Sequence, residues 1–251
     1  MRDGFFLFDS HTHLGEAKHS GRVATVRQLL ATMDRCGVDR SLLIPFPVVE
    51  DFRTAHDHIA EAVRLHPARF AGAACLNPYE GEAAYRAEVR RCREQLGFRA
   101  LKLQPQYTAV NPLWPRHRFV FEAAAENGMT LIWHTGSGIP YSLPSLLMPA
   151  ARDFPQLNIV LAHCGGGGML LGEAIVAAQF CPNIYLELST LMPNHVLEVL
   201  SHIPASRLMA GSDLPENTEV EFAKILGLDT GHDVKHSILS ETALRLFGGG
   251  A

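Results

Sequence analysis

Two imidazoles one residue apart, His11 and His13, close a short apolar run, Phe5-Phe6-Leu7-Phe8-Asp9-Ser10-His11-Thr12-His13. In an extended strand alternate side chains share a face, so both rings point the same way, about one ligand spacing apart. Neutral imidazoles presented side by side suit a borderline transition metal such as zinc. In a chain with 13 histidines one such pair decides little by itself. Three later runs end alike: Thr130-Leu131-Ile132-Trp133-His134, Ile159-Val160-Leu161-Ala162-His163 and Arg207-Leu208-Met209-Ala210-Gly211-Ser212-Asp213. Each is a hydrophobic run of strand length whose last residue before a Gly- or Pro-containing loop is a metal ligand or a proton carrier. His11, His13, His134, His163 and Asp213, all at the C-terminal ends of strands, therefore predict one shared site.

The elements that must position these groups alternate along the chain. Val26, Leu29, Leu30 and Met33 fall at helical spacing and Gly37 ends their helix. Strands follow at Ser41 to Ile44, Phe70 to Leu76 and Arg99 to Leu103, separated by helices from Phe52 to Leu65 and along Tyr85, Val89, Cys92 and Leu96. Helices from Arg116 to Asn127, Pro144 to Phe154 and Met169 to Phe180 lead into the strands that end in His134 and His163 and into a seventh, Asn183 to Leu188. Val196, Val199, Leu200 and Ile203 mark the helix before the strand that ends at Asp213, and a last helix, Val234 to Phe247, ends in Gly248-Gly249-Gly250. Eight strands alternating with eight helices in 251 residues predict a single α/β domain over residues 1–251, a (β/α)8 TIM barrel, whose catalytic groups lie at the C-terminal ends of the strands. An open doubly wound sheet is the runner-up, but it would not bring the ends of strands one, five, six and eight to one point.

Composition narrows the partners. The formal net charge is -4 with no basic block, so no electrostatic footprint for nucleic acid or an anionic membrane is expected. No apolar stretch reaches the length of a membrane span and the N-terminal run is too short for a secretory signal. Cys36, Cys75, Cys92, Cys164 and Cys181 are odd in number and lack C-x-x-C spacing, which suits a reducing cytoplasm rather than a disulfide framework or a thiolate zinc site. Cys164 directly follows His163 and should face away from it, as a small apolar residue. A small-molecule substrate is the expected partner.

The motifs also carry a likeness. Asp9-Ser10-His11-Thr12-His13, Trp133-His134-Thr135-Gly136, Leu161-Ala162-His163-Cys164-Gly165-Gly166 and Gly211-Ser212-Asp213-Leu214-Pro215 resemble, in this order, the amidohydrolase superfamily. The resemblance is to its amidohydrolase-related branch, which includes aminocarboxymuconate-semialdehyde decarboxylase. His58 to Pro78, centred on His66-Pro67-Ala68-Arg69-Phe70, and the ending Ala243-Leu244-Arg245-Leu246-Phe247 are similar to that branch too, so the likeness covers nearly the whole chain. It implies that His11, His13, His134 and Asp213 hold one divalent metal, most often Zn2+, and that His163 lies beside the water the metal activates. Mn2+, Fe2+ or Co2+ fit the same ligand types. Three neutral imidazoles leave such a site cationic enough to bring the pKa of bound water towards ~7. Asp213 could ligate the metal, accept the water's proton, or do both; His163 would stabilise negative charge or shuttle a proton.

Other positions have two readings each. Lys102 lies on the fourth strand, where binuclear members of the superfamily carry a carboxylated lysine, but it reads better as a lysine that pairs with a carboxylate or binds substrate; the branch implies one metal. Gln104 shares its face. Glu187, in Ile184-Tyr185-Leu186-Glu187-Leu188-Ser189, could orient a ligand histidine or serve as a structural ion-pair partner. Gly165 to Gly168 could turn backbone donors towards an anionic group or form a close-packed turn. Arg53, His56 and His58 follow the second strand, within reach of a pocket, although His58 matches a helix start better than a ligand, and Trp133 should point outward into the helix layer. The first expectation is a metal-dependent hydrolase acting on a small carboxylated or cyclic amide, ester or lactone. A non-oxidative decarboxylase is the alternative, from which the lack of a long insertion after the first or eighth strand departs. A metal-binding barrel without activity is the third reading. Loops this short leave a pocket open, so a homodimer in which a second subunit covers it is also expected.

Overall fold

The apolar runs become nine strands of one sheet in a computed structural model that describes residues 1–248. They are β1 (Phe8–Glu16), β2 (Val23–Ala24), β3 (Arg40–Pro45), β4 (Phe70–Cys75), β5 (Ala100–Leu103), β6 (Thr130–His134), β7 (Ile159–Ala162), β8 (Ile184–Glu187) and β9 (Leu208–Met209). β2 is a short antiparallel arm on the end of β1, and the other eight are parallel staves in sequential order. The ring closes between first and last staves: Ser10 N donates to Ala210 O at 3.0 Å and Asp213 N to His11 O at 2.7 Å, with an isolated parallel bridge between Thr12 and Asp213. The register of β1 against β3 shifts between Asp9 and Thr12, beside that seam. The fold is thus the expected TIM barrel.

Around the staves run α1 (Val26–Cys36), α2 (Phe52–Leu65), α3 (Glu82–Glu94), the single turn α4 (Pro105–Thr108), α5 (Arg118–Glu126), α6 (Met148–Asp153), α7 (Leu171–Phe180), α8 (Pro193–Leu200), α9 (Thr218–Leu226), α10 (His232–His236) and α11 (Thr242–Phe247). Two of them are capped by local side chains. Thr25 and Gln28 form a capping box on α1, and Gly37 ends it in the left-handed region at φ 73°. Asp51 accepts from Thr54 N at the start of α2. The region expected as one helix from Val234 to Phe247 is α10, a π-helical turn (Ser237–Glu241) and α11, and α9 lies ahead of it as an additional helix. The last two residues of the expected glycine run, Gly249 and Gly250, lie outside the described residues.

The core has two shells. Inside the ring Phe8, Ile44, Ala73, Cys75, Ile132, Val160 and Met209 pack together with Leu246 and Phe247 of α11. Arg40, the first residue of β3, donates to Gly248 O at 2.8 Å, so the end of α11 sits at the N-terminal end of the ring, away from the strand ends near which His11, His13, His134, His163 and Asp213 lie. The outer shell fills the space between staves and helices. Trp133 belongs to it, fully buried and stacked on Phe121 with ring centroids 5.6 Å apart, as its alternation with His134 predicts. Cys164 is buried there too, and all five cysteines are free thiols. Among the described residues no helix is long and apolar enough to cross a membrane.

Candidate metal centre

β1 delivers His11 and His13 side by side, ring centroids 5.3 Å apart, and the seam brings Asp213 to them from the other end of the chain. His11 Nε2 and His13 Nε2 each lie 3.5 Å from Asp213 Oδ1, and the three candidate ligand atoms fall within 4.8 Å of one another. Their outer nitrogens are committed: His11 Nδ1 faces Glu187 Oε2 at 3.2 Å and His13 Nδ1 faces Pro45 O at 3.1 Å. Both partners accept only, so each Nδ1 carries the proton and each Nε2 turns its lone pair inward, which is what a metal-binding imidazole requires. Two inward imidazole lone pairs and a carboxylate oxygen at this spacing fit a first-row divalent cation.

The ends of the staves are bent to make this geometry. His163 and Asp213, expected as last residues of their strands, lie beyond β7 and β9 with φ of 65° and 63°, in the left-handed region. Such conformations are strained for residues with a Cβ and persist where the surroundings hold them. Gly211 gives the last stave its close approach: a Cβ there would lie 2.7 Å from Glu187 Oε1 and 2.9 Å from His11 Cβ.

His134, from the end of β6, stands in the same cluster without joining the three-atom group. Its ring lies 4.8 Å from that of His163, its Nε2 faces Ser137 O at 3.1 Å, and its Nδ1 is buried with no partner among the described residues. Because a carbonyl accepts from Nε2, Nδ1 holds an unspent lone pair. The His163 ring is 5.0 Å from that of His11. Burial drives the pKa of His11 and of His134 well below the ordinary imidazole value, and burial, opposed by the carboxylate of Asp213, brings His163 down to about 4. All three imidazoles are therefore neutral at neutral pH, as ligands and proton acceptors must be.

Lys102 and Glu187 lie at the floor. Lys102 is fully buried with Nζ 2.9 Å from His11 Nε2, and burial lowers its ammonium to about 8. Glu187 is 1% exposed and accepts from His163 N at 3.0 Å, Ser189 N at 2.6 Å and Ser189 Oγ at 2.9 Å in addition to facing His11. Gln104 faces the mouth, where a cavity of about 220 Å³ is bounded by Phe46, His19, Arg22, Tyr107 and Ser137; its Oε1 is buried without a partner among the described residues.

Several expected candidates lie elsewhere. His56 is buried between α2 and its neighbours, with Nδ1 2.8 Å from Glu88 and Nε2 3.1 Å from the Cys75 backbone, and Arg53 pairs with Glu88 on the surface. His58 lies within α2 and lines a separate hollow of about 410 Å³ with Glu16, Lys18, Glu50 and Asp51, which contains none of the clustered groups. The glycine run forms the close-packed turn: Gly165 N donates to Thr135 Oγ1, Gly166 N to His163 O and Gly167 N to Thr190 Oγ1, so these donors are committed within the protein.

Residues that pattern reading passed over complete the cluster. Asp9 Oδ1 accepts from His11 N at 3.2 Å and Ser212 N at 2.9 Å, and Oδ2 from Ser212 Oγ at 2.6 Å. Burial raises the Asp9 carboxyl to about 7, against these hydrogen bonds. Asp9 alternates with His11 and Ser189 with Glu187, so strand periodicity pointed to both.

A family model described as Amidohydrolase matches residues 8–249. Among solved structures, the 5-carboxyvanillate decarboxylase of Sphingomonas paucimobilis is similar with a TM-score of 0.78 at 17% identity, covering 97% of this chain and 99% of that one. The manganese-bound 5-carboxyvanillate decarboxylase of Novosphingobium aromaticivorans aligns with a TM-score of 0.79 at 15% identity, over 97% of each chain. The 4-oxalomesaconate hydratase of Rhodopseudomonas palustris aligns at 0.72 and 16% identity, over 97% of this chain and 96% of that one. At these identities the likeness is one of fold. No curated protein matches the sequence significantly.

Proposed function

From the premise that this chain belongs to the Amidohydrolase family, we propose that it is a metal-dependent hydrolase acting through activated water on a small carboxylated substrate. The observation that carries the proposal is the inward pair of Nε2 lone pairs on His11 and His13, each 3.5 Å from Asp213 Oδ1. In this reading His11, His13 and Asp213 hold one divalent cation, and His134 completes the set through its partnerless nitrogen. When bound, the cation supplies Lewis acidity and lowers the pKa of water at the site. Zinc and manganese both suit the ligands. His163, neutral and lining the mouth, takes a proton on Nε2 and returns it to the leaving group. Gln104 Oε1 accepts a hydrogen bond from a hydroxyl or amide of the substrate, and Arg22 at the rim receives its carboxylate in exchange for Glu216. Lys102 remains an ammonium on the floor. A homodimer covering the mouth belongs to the same proposal.

Non-oxidative decarboxylation is the second reading, favoured by the end-to-end likeness to the two carboxyvanillate decarboxylases. There His163 would deliver a proton to carbon instead of taking one from water. Elemental analysis of protein purified without chelator, beside a His11→Ala/His13→Ala variant, tests the shared premise: about one metal per chain is expected, lost in the variant. Absence of metal after incubation with zinc or manganese overturns it. A panel of carboxylated aromatics and lactones then separates the reactions, since hydrolysis releases an acid and decarboxylation releases carbon dioxide.

A further inference from the structure

Ser189 follows β8 and lies fully buried between two groups already described. His163 Nδ1 is 2.7 Å from its Oγ, and the same Oγ is 2.9 Å from Glu187 Oε2. A hydroxyl has one proton to give. Glu187 has none: Oε1 accepts from Ser189 N, and Oε2 already faces His163 N and the Nδ1 of His11. Two oxygens at 2.9 Å with no proton between them would repel, so the serine proton lies on the Glu187 side. Its lone pair is then what His163 Nδ1 meets, and Nδ1 must carry a hydrogen.

We infer that Ser189 is a positioning residue that locks His163 as the Nδ1–H tautomer, leaving the lone pair on Nε2 as the proton-accepting atom of the site. The inference deepens the proposed reaction and rests on it for the use of that lone pair, but the tautomer itself follows from hydrogen bonding alone. The relay also ties the proton carrier to the metal side. One buried carboxylate, Glu187, orients His11 directly and His163 through the serine and through its backbone N–H. The direct separation of His163 Nδ1 from Glu187 Oε2 is 3.8 Å, too long for a hydrogen bond.

The test is long-range 1H–15N correlation on zinc-loaded protein labelled with 15N-histidine, in which the His163 signal is the one that disappears in His163→Gln. The expected result is Nδ1–H for His163 in the wild type, and a shift to Nε2–H or to a mixture in Ser189→Ala, with kcat falling about 10- to 100-fold, as for loss of other orienting partners, and metal content unchanged. A wild-type His163 protonated at Nε2 overturns the inference, even where Ser189→Ala does not fold. So does a folded Ser189→Ala protein in which the tautomer is unchanged. Metal content is read separately on the same samples: a metal-free chain with His163 as Nδ1–H would sink the proposed reaction and leave the role of Ser189 standing.

Discussion

At the residue scale the site is a set of lone pairs aimed by their neighbours. His11 and His13 present Nε2 inward because Glu187 and Pro45 O accept hydrogen bonds from their Nδ1–H groups, and Lys102 places an ammonium 2.9 Å from one of those lone pairs. A lysine in that place competes with a cation for the same nitrogen. Even at an effective dielectric near 20, charges a few ångströms apart interact by several kcal/mol. Lys102→Met is therefore expected to tighten zinc binding by at least about 10-fold without changing the stoichiometry, measured by competition with a chromophoric chelator. A carboxylated Lys102 predicts the opposite: two metals in the wild type, and loss of one in the variant. The clustered residues His11, His13, His134, His163 and Asp213 were legible because strand alternation and position at a strand end are local properties. Ser189 escaped notice because its role depends on a proton that only the surrounding acceptors assign.

At the element scale the helices hold the staves through buried polar contacts as well as apolar ones. α2 and α3 are joined by Glu88, which accepts from Arg91 and faces His56 Nδ1 at 2.8 Å. Burial acts to raise the Glu88 carboxyl, but hydrogen bonds from His56 and Arg91 outweigh it and hold it at about 2. The folded value lies below the unfolded one of ~4.3, so this group's stabilisation is fully present above that pH and is lost as pH falls through about 2. In Glu88→Gln the protein should be less stable at neutral pH and show a shallower loss of stability between these limits, followed by urea unfolding at a series of pH values. An unchanged slope would remove Glu88 from the acid response. The same mixing of polar and apolar contacts explains the helix that pattern reading missed. The buried positions of α9 are Thr218, Glu221, Phe222 and Ile225, at helical spacing, but two of the four are polar. Glu221 accepts from Thr190 N, and Lys224 donates to Leu188 O and Leu191 O, so the helix pins the loop after β8. An apolar stripe interrupted by such a pair does not stand out as amphipathic. His56 misled for the converse reason: a histidine soon after a stave reads as a pocket residue, whereas Glu88 and Cys75 consume both of its nitrogens.

At the scale of the whole molecule, eight strands and a closed ring were readable from the alternation of short apolar runs with helical stripes. The seam was not. β9 keeps only two residues in regular pairing, and the contacts that close the ring, Asp9 with Ser212 and His11 with Asp213, join segments 203 and 202 positions apart, where no local pattern connects them. Closing so long a loop is entropically expensive, and anything that binds the closed form and not the open chain shifts the balance towards it. Chelation of the metal-loaded protein is accordingly expected to lower its Tm, by the amount set by ~RT ln(1 + [metal]/Kd), and His13→Ala should largely abolish that difference; equal Tm values with and without chelator would contradict it. A ribosome makes His11 202 residues before Asp213. In the proposed reading a cation gripped by both is a clasp that cannot be fastened until Asp213 has emerged, so a chain interrupted before that residue, however well its early staves form, holds only part of the proposed ligand set.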